Sequence, residues 1–149
     1  MNKEREELRK LRNVLKTINS AHNAAVCTTT RDLQTGILKF DYVSATWEKV
    51  MGVTAEASII DAHNVFKNVH PGDLPTLMHI IAESLKSVSA FEIEVRYIHP
   101  VARKVIWIVI FSYPRREGDY VLSDGFIYDI STRKFAEIEA ERKSKLLNN

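Results

Sequence analysis

The chain contains a single cysteine and few glycines or prolines, and these shortages exclude several kinds of protein. Its 149 residues include one Cys, five Gly and four Pro. Cys27 cannot form an internal disulfide and has no CxxC partner for a metal, so a reducing compartment is predicted. The glycines form neither a GxGxxG motif nor a phosphate-binding loop, which argues against a small stand-alone enzyme.

Long hydrophobic runs and an excess of one charge are also lacking. The longest apolar run, 105–111, has seven residues, whereas a membrane helix needs about 20. Residues 1–7 are a charged run without the features of a secretory signal. A net charge of +2 is too even for a nucleic-acid groove or a membrane-binding face. We therefore expect a cytoplasmic domain without nucleic acid or direct membrane contact, while a parent protein with a membrane anchor is compatible with it.

Residues 3–22 predict a charged helix with one narrow apolar stripe. The stripe has spacings of three and four and consists of Leu8, Leu11, Leu15 and Ile18. Two heptads do not distinguish a dimer seam from a stripe that docks on its own domain, so both interpretations stay open. We assign residues 1–22 to an N-terminal signalling or dimerisation helix.

The next hundred residues predict two strands, then a group of helices, then three more strands. Two strands are expected near 24–30 and 37–43, and three more near 91–97, 104–113 and 120–128. Between the two groups, Ser44 and Thr54 are expected to cap two short helices. Asp73 is expected to begin a longer helix, whose apolar face consists of Leu74, Leu77, Met78, Ile81, Leu85 and Val88. This order favours an α+β antiparallel sheet with helices on one face over alternating βαβ units.

A second charged helix is predicted over 132–147. Its candidate seam begins apolar at Phe135 and Ile138 but is polar by Arg142 and Lys145. A seam that fades in this way is typical of a helix that frays or continues into a partner. We assign residues 132–149 to a truncated output helix and residues 23–131 to the domain itself.

Five local motifs in this order resemble those of PAS domains. They are Tyr42–Ser44 with Trp47 and Gly52–Thr54, then Val69–Asp73, Phe91–Arg96, Ile106–Ile108 and Gly125–Ser131. Each motif is weak alone, but together they cover about residues 23–135 at compatible spacing. The resemblance implies the PAS fold, a five-stranded antiparallel sheet with short helices and one longer helix on one face. The sequence departs from the family pattern at 99–104, between the third and fourth predicted strands, where the glycine that is usual in the hairpin turn is missing.

The resemblance implies a sensory and dimerisation module of a larger bacterial signalling protein. The parent is expected to be a sensor histidine kinase of a two-component phosphorelay; a transcription regulator or a cyclic-dinucleotide enzyme is the alternative. The implied partners are a second copy, paired through the flanking helices, and a downstream effector domain in the same chain. The junction that transmits the signal is Asp129, Ile130, Ser131 and Thr132, where Asp129 is expected to bind backbone N–H groups and Ser131 or Thr132 to cap the helix.

No catalytic residue, metal or cofactor is predicted, although a small ligand between helix and sheet stays open. Candidate pocket-lining residues are Met78, Ile81, Tyr97, Trp107 and Phe126, with Trp107 read first as a core aromatic. His79 falls on the polar side of its helix, which argues against a haem ligand. The other histidines, His22, His63, His70 and His99, show no metal-ligand spacing or belong to a helix-start motif. Cys27 lies in the first strand, outside the Asn-Cys-Arg setting that a flavin photoreceptor needs.

Overall fold

The computed structural model describes residues 2–20 and 23–148, apart from the side chains of residues 11 and 14–20. Of the predicted N-terminal seam, Leu8 is described and is exposed. The side chains of Leu11, Leu15 and Ile18, and the whole of His22, lie outside the described residues.

The described residues form one five-stranded sheet and six helices. In chain order these are α1 (Asn2–Ser20), β1 (Ala24–Asp32), β2 (Leu38–Val43), α2 (Trp47–Met51), α3 (Ala55–Ile60), α4 (His63–Phe66), α5 (Leu74–Ser87), β3 (Phe91–His99), β4 (Lys104–Glu117), β5 (Tyr120–Asp129) and α6 (Ser131–Leu147). The strands lie in the order β2-β1-β5-β4-β3, and each pair is antiparallel. The predicted α+β architecture is confirmed. The sequence missed α4 because four residues are too few to show a helical period.

The two faces of the sheet have different neighbours. Alternate residues of the strands, among them Val95, Tyr97 and Ile108, point to the inner face and are buried together with Trp47 and Leu77 of the helices. Helices α2 to α5 therefore cover the inner face. The outer face, which the intervening residues form, meets the first turn of α6.

Side-chain hydrogen bonds hold the short helices in place. The Thr54 hydroxyl accepts from Ala57 N and caps α3 as predicted, at 3.1 Å. The fully buried Trp47 donates its Nε1–H to the Ser58 hydroxyl over 2.9 Å, which joins α2 to α3. Because helices this short are unstable alone, such buried bonds and their packing stabilise them.

The predicted cap at Ser44 is wrong. Helix α2 begins after Thr46, which makes no side-chain capping bond. The Ser44 hydroxyl instead accepts from Val26 N at 3.0 Å, and the Thr46 hydroxyl donates to Ala24 O at 2.6 Å. Both hydroxyls bind the backbone of β1 beyond its last pair with β2, Cys27 with Val43, on the edge where β2 no longer supplies hydrogen bonds.

The β3–β4 hairpin turns without a glycine. Arg103 adopts the left-handed conformation there, with φ of +54°, and donates its N–H to His99 O over 2.8 Å. Arg103 therefore takes the left-handed position that a glycine usually occupies in this turn of the family.

Two glycines with the same backbone conformation provide a test of the packing at the end of α2. Gly36 (φ +76°) and Gly52 (φ +69°) are both left-handed, but a Cβ at Gly36 meets nothing within 4 Å. A Cβ at Gly52 would lie 2.6 Å from His99 Cε1 and 2.9 Å from Pro100 Cδ. We expect Gly36→Ala to lower the free energy of unfolding by about 1–2 kcal/mol, and Gly52→Ala to lower it by about 2–5 kcal/mol. Urea unfolding of both variants measures the difference; equal losses would contradict the contact between α2 and the hairpin.

Candidate functional site

A cavity of about 100 Å³ lies between the inner face of the sheet and the helices. One end is closed by fully buried side chains, those of Trp47, Met51, Leu77 and Tyr97. The other end lies between the C-terminal half of α5 and the sheet, where the lining residues are only half-buried. The cavity is therefore a pocket with a deep apolar end and a more accessible mouth.

The lining of this cavity is uncharged. Burial raises the pKa of the Cys27 thiol to about 12, with a smaller contribution from the Asp124 carboxylate, so the thiol stays protonated. Burial likewise raises the pKa of Tyr97 to about 12, against the opposing effect of its hydrogen bond with Asn68. No Asp, Glu, Lys, Arg or His occurs among the lining residues that the structure describes. Because an unpaired charge is costly to bury, the cavity suits a neutral and mostly apolar molecule.

The structure brings together two of the five residues predicted to line a pocket. Ile81 and Tyr97 line the cavity. Met78 does not, because it lies about 75° around α5 from the centre of the lining residues and is 39% exposed. Trp107 and Phe126 do not either, because their strand positions place them on the outer face. The prediction is corrected at these three positions.

Several lining residues were missed by the sequence reading. Phe40, Phe66 and Phe91 line the cavity together with Cys27 and Ser84. The alternation of β1 could have placed Cys27 on the inner face. Ser84 is polar, yet it lies on the buried side of α5 with its hydroxyl donating to Ser89 O over 2.6 Å. A hydropathy pattern cannot identify such a residue.

The predicted junction lies where β5 passes into α6. The Asp129 carboxylate accepts from Ser131 N at 2.9 Å, which is the contact expected of it. The Ser131 hydroxyl does not cap the helix but accepts from Trp107 N at 2.9 Å, and Ile130 N donates to Trp107 O over 2.8 Å. Thr132 is exposed. The junction thus continues the ladder of β4 by two hydrogen bonds and ties the start of α6 to Trp107.

A group of charged residues surrounds Trp107 on the outer face. Lys134 Nζ lies 4.7 Å from the ring centroid of Trp107 and 2.9 Å from Glu94 Oε1, and Arg133 Nη2 lies 2.8 Å from Glu94 Oε2. Arg96 Cζ lies 5.9 Å from the centroid of the same ring. We call Asp73, Glu94, Arg96, Arg133 and Lys134 the outer-face ion cluster; it connects α5, β3 and α6.

Within this cluster, Arg96 binds Asp73, the residue before the first turn of α5. It makes a two-point contact with Asp73, with Nε at 3.0 Å from Oδ2 and Nη2 at 2.8 Å from Oδ1, and its backbone N–H also donates to Oδ2 over 2.7 Å. The Asp73 carboxylate therefore binds Arg96 and not the N-terminal amides of α5. Its hydrogen bonds with the Arg96 side chain lower the pKa of Asp73. Hydrogen bonds from Arg133 and Lys134 lower the pKa of Glu94.

The described residues offer no ligands for the haem or metal sites that the histidines brought into question. His79 lies on the exposed side of α5, outside the cavity. Among the described residues, no group of three or more His, Cys, Asp or Glu side chains is arranged to hold a metal ion. No helix in the described part of the chain is both long and apolar enough to cross a bilayer.

Comparison with known proteins places these features in a family. A family model for the PAS fold matches residues 40–122, more than half of the chain. No curated protein sequence matches.

Solved structures with the same fold come from several signalling proteins. The N-terminal domain of a diguanylate cyclase with a PAS/PAC sensor from Marinobacter aquaeolei is 20% identical, with a TM-score of 0.61 over 74% of this chain and 98% of that one. A sensory box histidine kinase/response regulator from Burkholderia thailandensis is 15% identical, with a TM-score of 0.67 over 93% and 98%. A light-oxygen-voltage domain studied with a flavin analogue is 12% identical, with a TM-score of 0.59 over 89% and 95%. At these identities the likeness shows the fold alone.

The lowered pKa of Asp73 predicts an acid-sensitive contact at the start of α5. A carboxyl whose pKa is lower in the folded state stabilises the fold above its unfolded pKa of about 4, and this contribution is lost as the pH falls through the folded value. We expect Asp73→Asn to be less stable than the wild type at pH 7 and the difference to shrink below about pH 4.

Urea unfolding at pH 7, 5, 4 and 3 measures this difference. The control is Glu83→Gln, which changes an exposed carboxylate on α5 and is expected to follow the wild type. A deficit of Asp73→Asn that does not change with pH would contradict the ionic role of Asp73.

Proposed function

The chain belongs to the PAS family, and from that premise we propose that it is the sensory input and dimerisation module of a larger signalling protein. The observation that carries the proposal is the attachment of α6 to the sheet. The same sheet forms one wall of the cavity on its inner face and the base of α6 on its outer face. A change in the cavity therefore has a short physical path to the helix that leaves the domain.

The path runs through adjacent strands. Tyr97, which lines the cavity, is the cross-strand neighbour of Ile106 on β4. The next residue, Trp107, binds Ser131 and Ile130 through its backbone and Lys134 through its ring. A movement of Trp107 relative to the start of α6 would alter all three contacts at once. We propose that residues 129–132 with Trp107 are the transmission junction.

The effector is proposed from the resemblance and from the fold neighbours. A sensor histidine kinase is the leading parent, and a histidine kinase/response regulator shares the fold. The diguanylate cyclase neighbour supports the alternative of a cyclic-dinucleotide enzyme. We assign no reaction to this segment and no resident cofactor. Its cytoplasmic location is proposed because Cys27 is a buried free thiol.

The dimer is proposed through the flanking helices. Helix α6 has no buried side chain, and Leu8 of α1 is 55% exposed. Phe135 and Ile138 of α6 are also exposed, and apolar side chains that stay exposed on a helix fit the seam of a two-helix contact between copies.

The first test concerns the attachment of α6. Glu94→Gln removes the carboxylate that binds Arg133 and Lys134, so the first turns of α6 should exchange their amide hydrogens severalfold faster, while the inner strands keep their protection. Glu92→Gln is the matched control, because Glu92 lies on the same face of β3 and is exposed. Hydrogen exchange read by mass spectrometry measures both variants. Unchanged α6 exchange in Glu94→Gln would contradict the role of the outer-face ion cluster.

The second test concerns the dimer. Leu8→Glu places a charge in the proposed seam and should shift the protein from dimer to monomer in sedimentation velocity. Arg9→Gln changes the net charge by the same amount from a position about 100° around the helix, and it should leave the dimer intact. A wild type that is strictly monomeric at high concentration would contradict the proposal.

A further inference from the structure

The residue that follows α5 has an unfavourable backbone conformation. Val88 has φ of +48° and ψ of +54°. Glycine is the usual residue in this left-handed position after a helix, and a β-branched residue there is a genuine outlier. For an L-residue, the left-handed conformation favours any form of the chain that releases it by about five- to thirtyfold.

Hydrogen bonds among three serines hold Val88 in this conformation. The hydroxyl of the buried Ser84 donates to Ser89 O over 2.6 Å, and Ser89 N donates to Ser84 O over 3.1 Å. The Ser87 hydroxyl donates to Glu83 O over 2.9 Å and lies 2.6 Å from the Ser89 hydroxyl. We call Ser84, Ser87 and Ser89 the serine clamp. Because a strained backbone persists only where its surroundings fix it, the closed turn depends on this clamp.

Little burial supports the segment that the serine clamp holds. Ser87, Ser89 and Ala90 are exposed, and Val88 is half-buried. Segments with few buried apolar contacts open at a lower free energy than the core of a protein. Residues 85–90 therefore have an internal strain that opening relieves and few buried contacts that opening breaks.

The same segment borders the cavity into which the one thiol of the chain points. Leu85 lines the cavity together with Phe91 and Cys27. A Cβ at Gly125 would lie 2.6 Å from Cys27 Sγ, so the thiol leans over β5, towards β4. Cys27 is nevertheless only 5% exposed. In the closed form, therefore, the thiol is shielded from solvent.

We propose that Val88 is a strained hinge at which residues 85–90 open transiently, and that this opening gives access to the cavity. When the hydrogen bonds of the serine clamp break, Val88 returns to a negative φ and the last turn of α5 uncoils. Leu85 and Phe91 then leave one side of the cavity uncovered. A use of the opening to admit a signal rests on the proposed input function, whereas the opening itself does not.

The Cys27 thiol is a reporter for this opening. Burial raises the pKa of Cys27 to about 12, so the thiol is protonated and unreactive in the closed form. Methyl methanethiosulfonate converts an accessible thiolate to a methyl disulfide with release of methanesulfinate. Mass spectrometry of the intact chain gives the rate of this reaction.

Two substitutions should change the reaction rate in opposite directions. Val88→Gly should slow the reaction about two- to fivefold, because relief of the strain is partly offset by the freedom of glycine in the open form. Ser84→Ala should speed the reaction about two- to tenfold, because it removes a buried hydrogen bond that closes the turn. Amide hydrogen exchange of residues 85–91 should follow the same order, while the strands keep their protection.

Arg103→Gly is the matched control. Arg103 has φ of +54° in the β3–β4 turn, so glycine relieves the same kind of strain at a position outside α5 and the cavity lining. Both glycine variants should raise the midpoint of urea unfolding, but Arg103→Gly should leave the Cys27 reaction at the wild-type rate. If Cys27 reacted only through global unfolding, both variants would slow it.

The local opening is overturned if Cys27 does not react in the folded wild type, or if both glycine substitutions slow its reaction equally. A rate that is unchanged in Val88→Gly overturns the hinge, and a rate that is unchanged in Ser84→Ala overturns the serine clamp. Failure of the hinge leaves the proposed input function standing, because Glu94→Gln tests the attachment of α6 separately. If α6 fails that test while Cys27 reacts as expected, the hinge stands and the input function is contradicted.

Discussion

The phenol ring of Tyr97 is fully buried between β3 and the short helices, and its hydroxyl has two partners there. It donates to Met51 O at the end of α2 over 2.6 Å and accepts from Asn68 Nδ2 at 3.2 Å. The short helices are too brief to persist alone, and this strand residue binds both α2 and the segment after α4. Loss of the hydroxyl would leave buried polar groups unsatisfied on both sides. The separation between sheet and helices, and with it the cavity, depends on this contact.

The two faces of the sheet carry different kinds of interaction. The inner face is held by burial and by uncharged hydrogen bonds, whereas the contact with α6 adds ion pairs and one cation–π contact to the two hydrogen bonds with the Trp107 backbone. Screening by salt weakens exposed ion pairs but does not weaken apolar packing. Salt should therefore weaken the attachment of α6 while the core of the domain stays stable. That difference suits a module whose core stays folded while its exit helix moves.

The sequence predicts most of the fold and little of the site, for reasons that particular residues show. The cap at Thr54 and, except for Met78, the residues of α5 that face the core could be predicted because a cap and a helical period are local signals. Trp107 was placed near the pocket because β4 is apolar on both faces, so its alternation cannot say which face a residue occupies. The contact of Glu94 with Lys134 joins residues 40 positions apart, and no periodicity encodes such a pair. The position of Ser44 before α2 is typical of a helix cap, but its hydroxyl accepts a hydrogen bond from Val26 N of β1 instead.

The two tryptophans occupy the two ends of the proposed path. Trp47 is buried in the cavity wall, and Trp107 is half-buried on the outer face beneath Lys134. Indole emission depends on the polarity and charge around the ring, so the chain carries two intrinsic fluorophores in unlike surroundings. With one of them replaced by phenylalanine, the other reports on a single end: occupancy of the interior, or departure of the helix. The order in which the two signals change would show whether a structural change starts at the cavity or at α6.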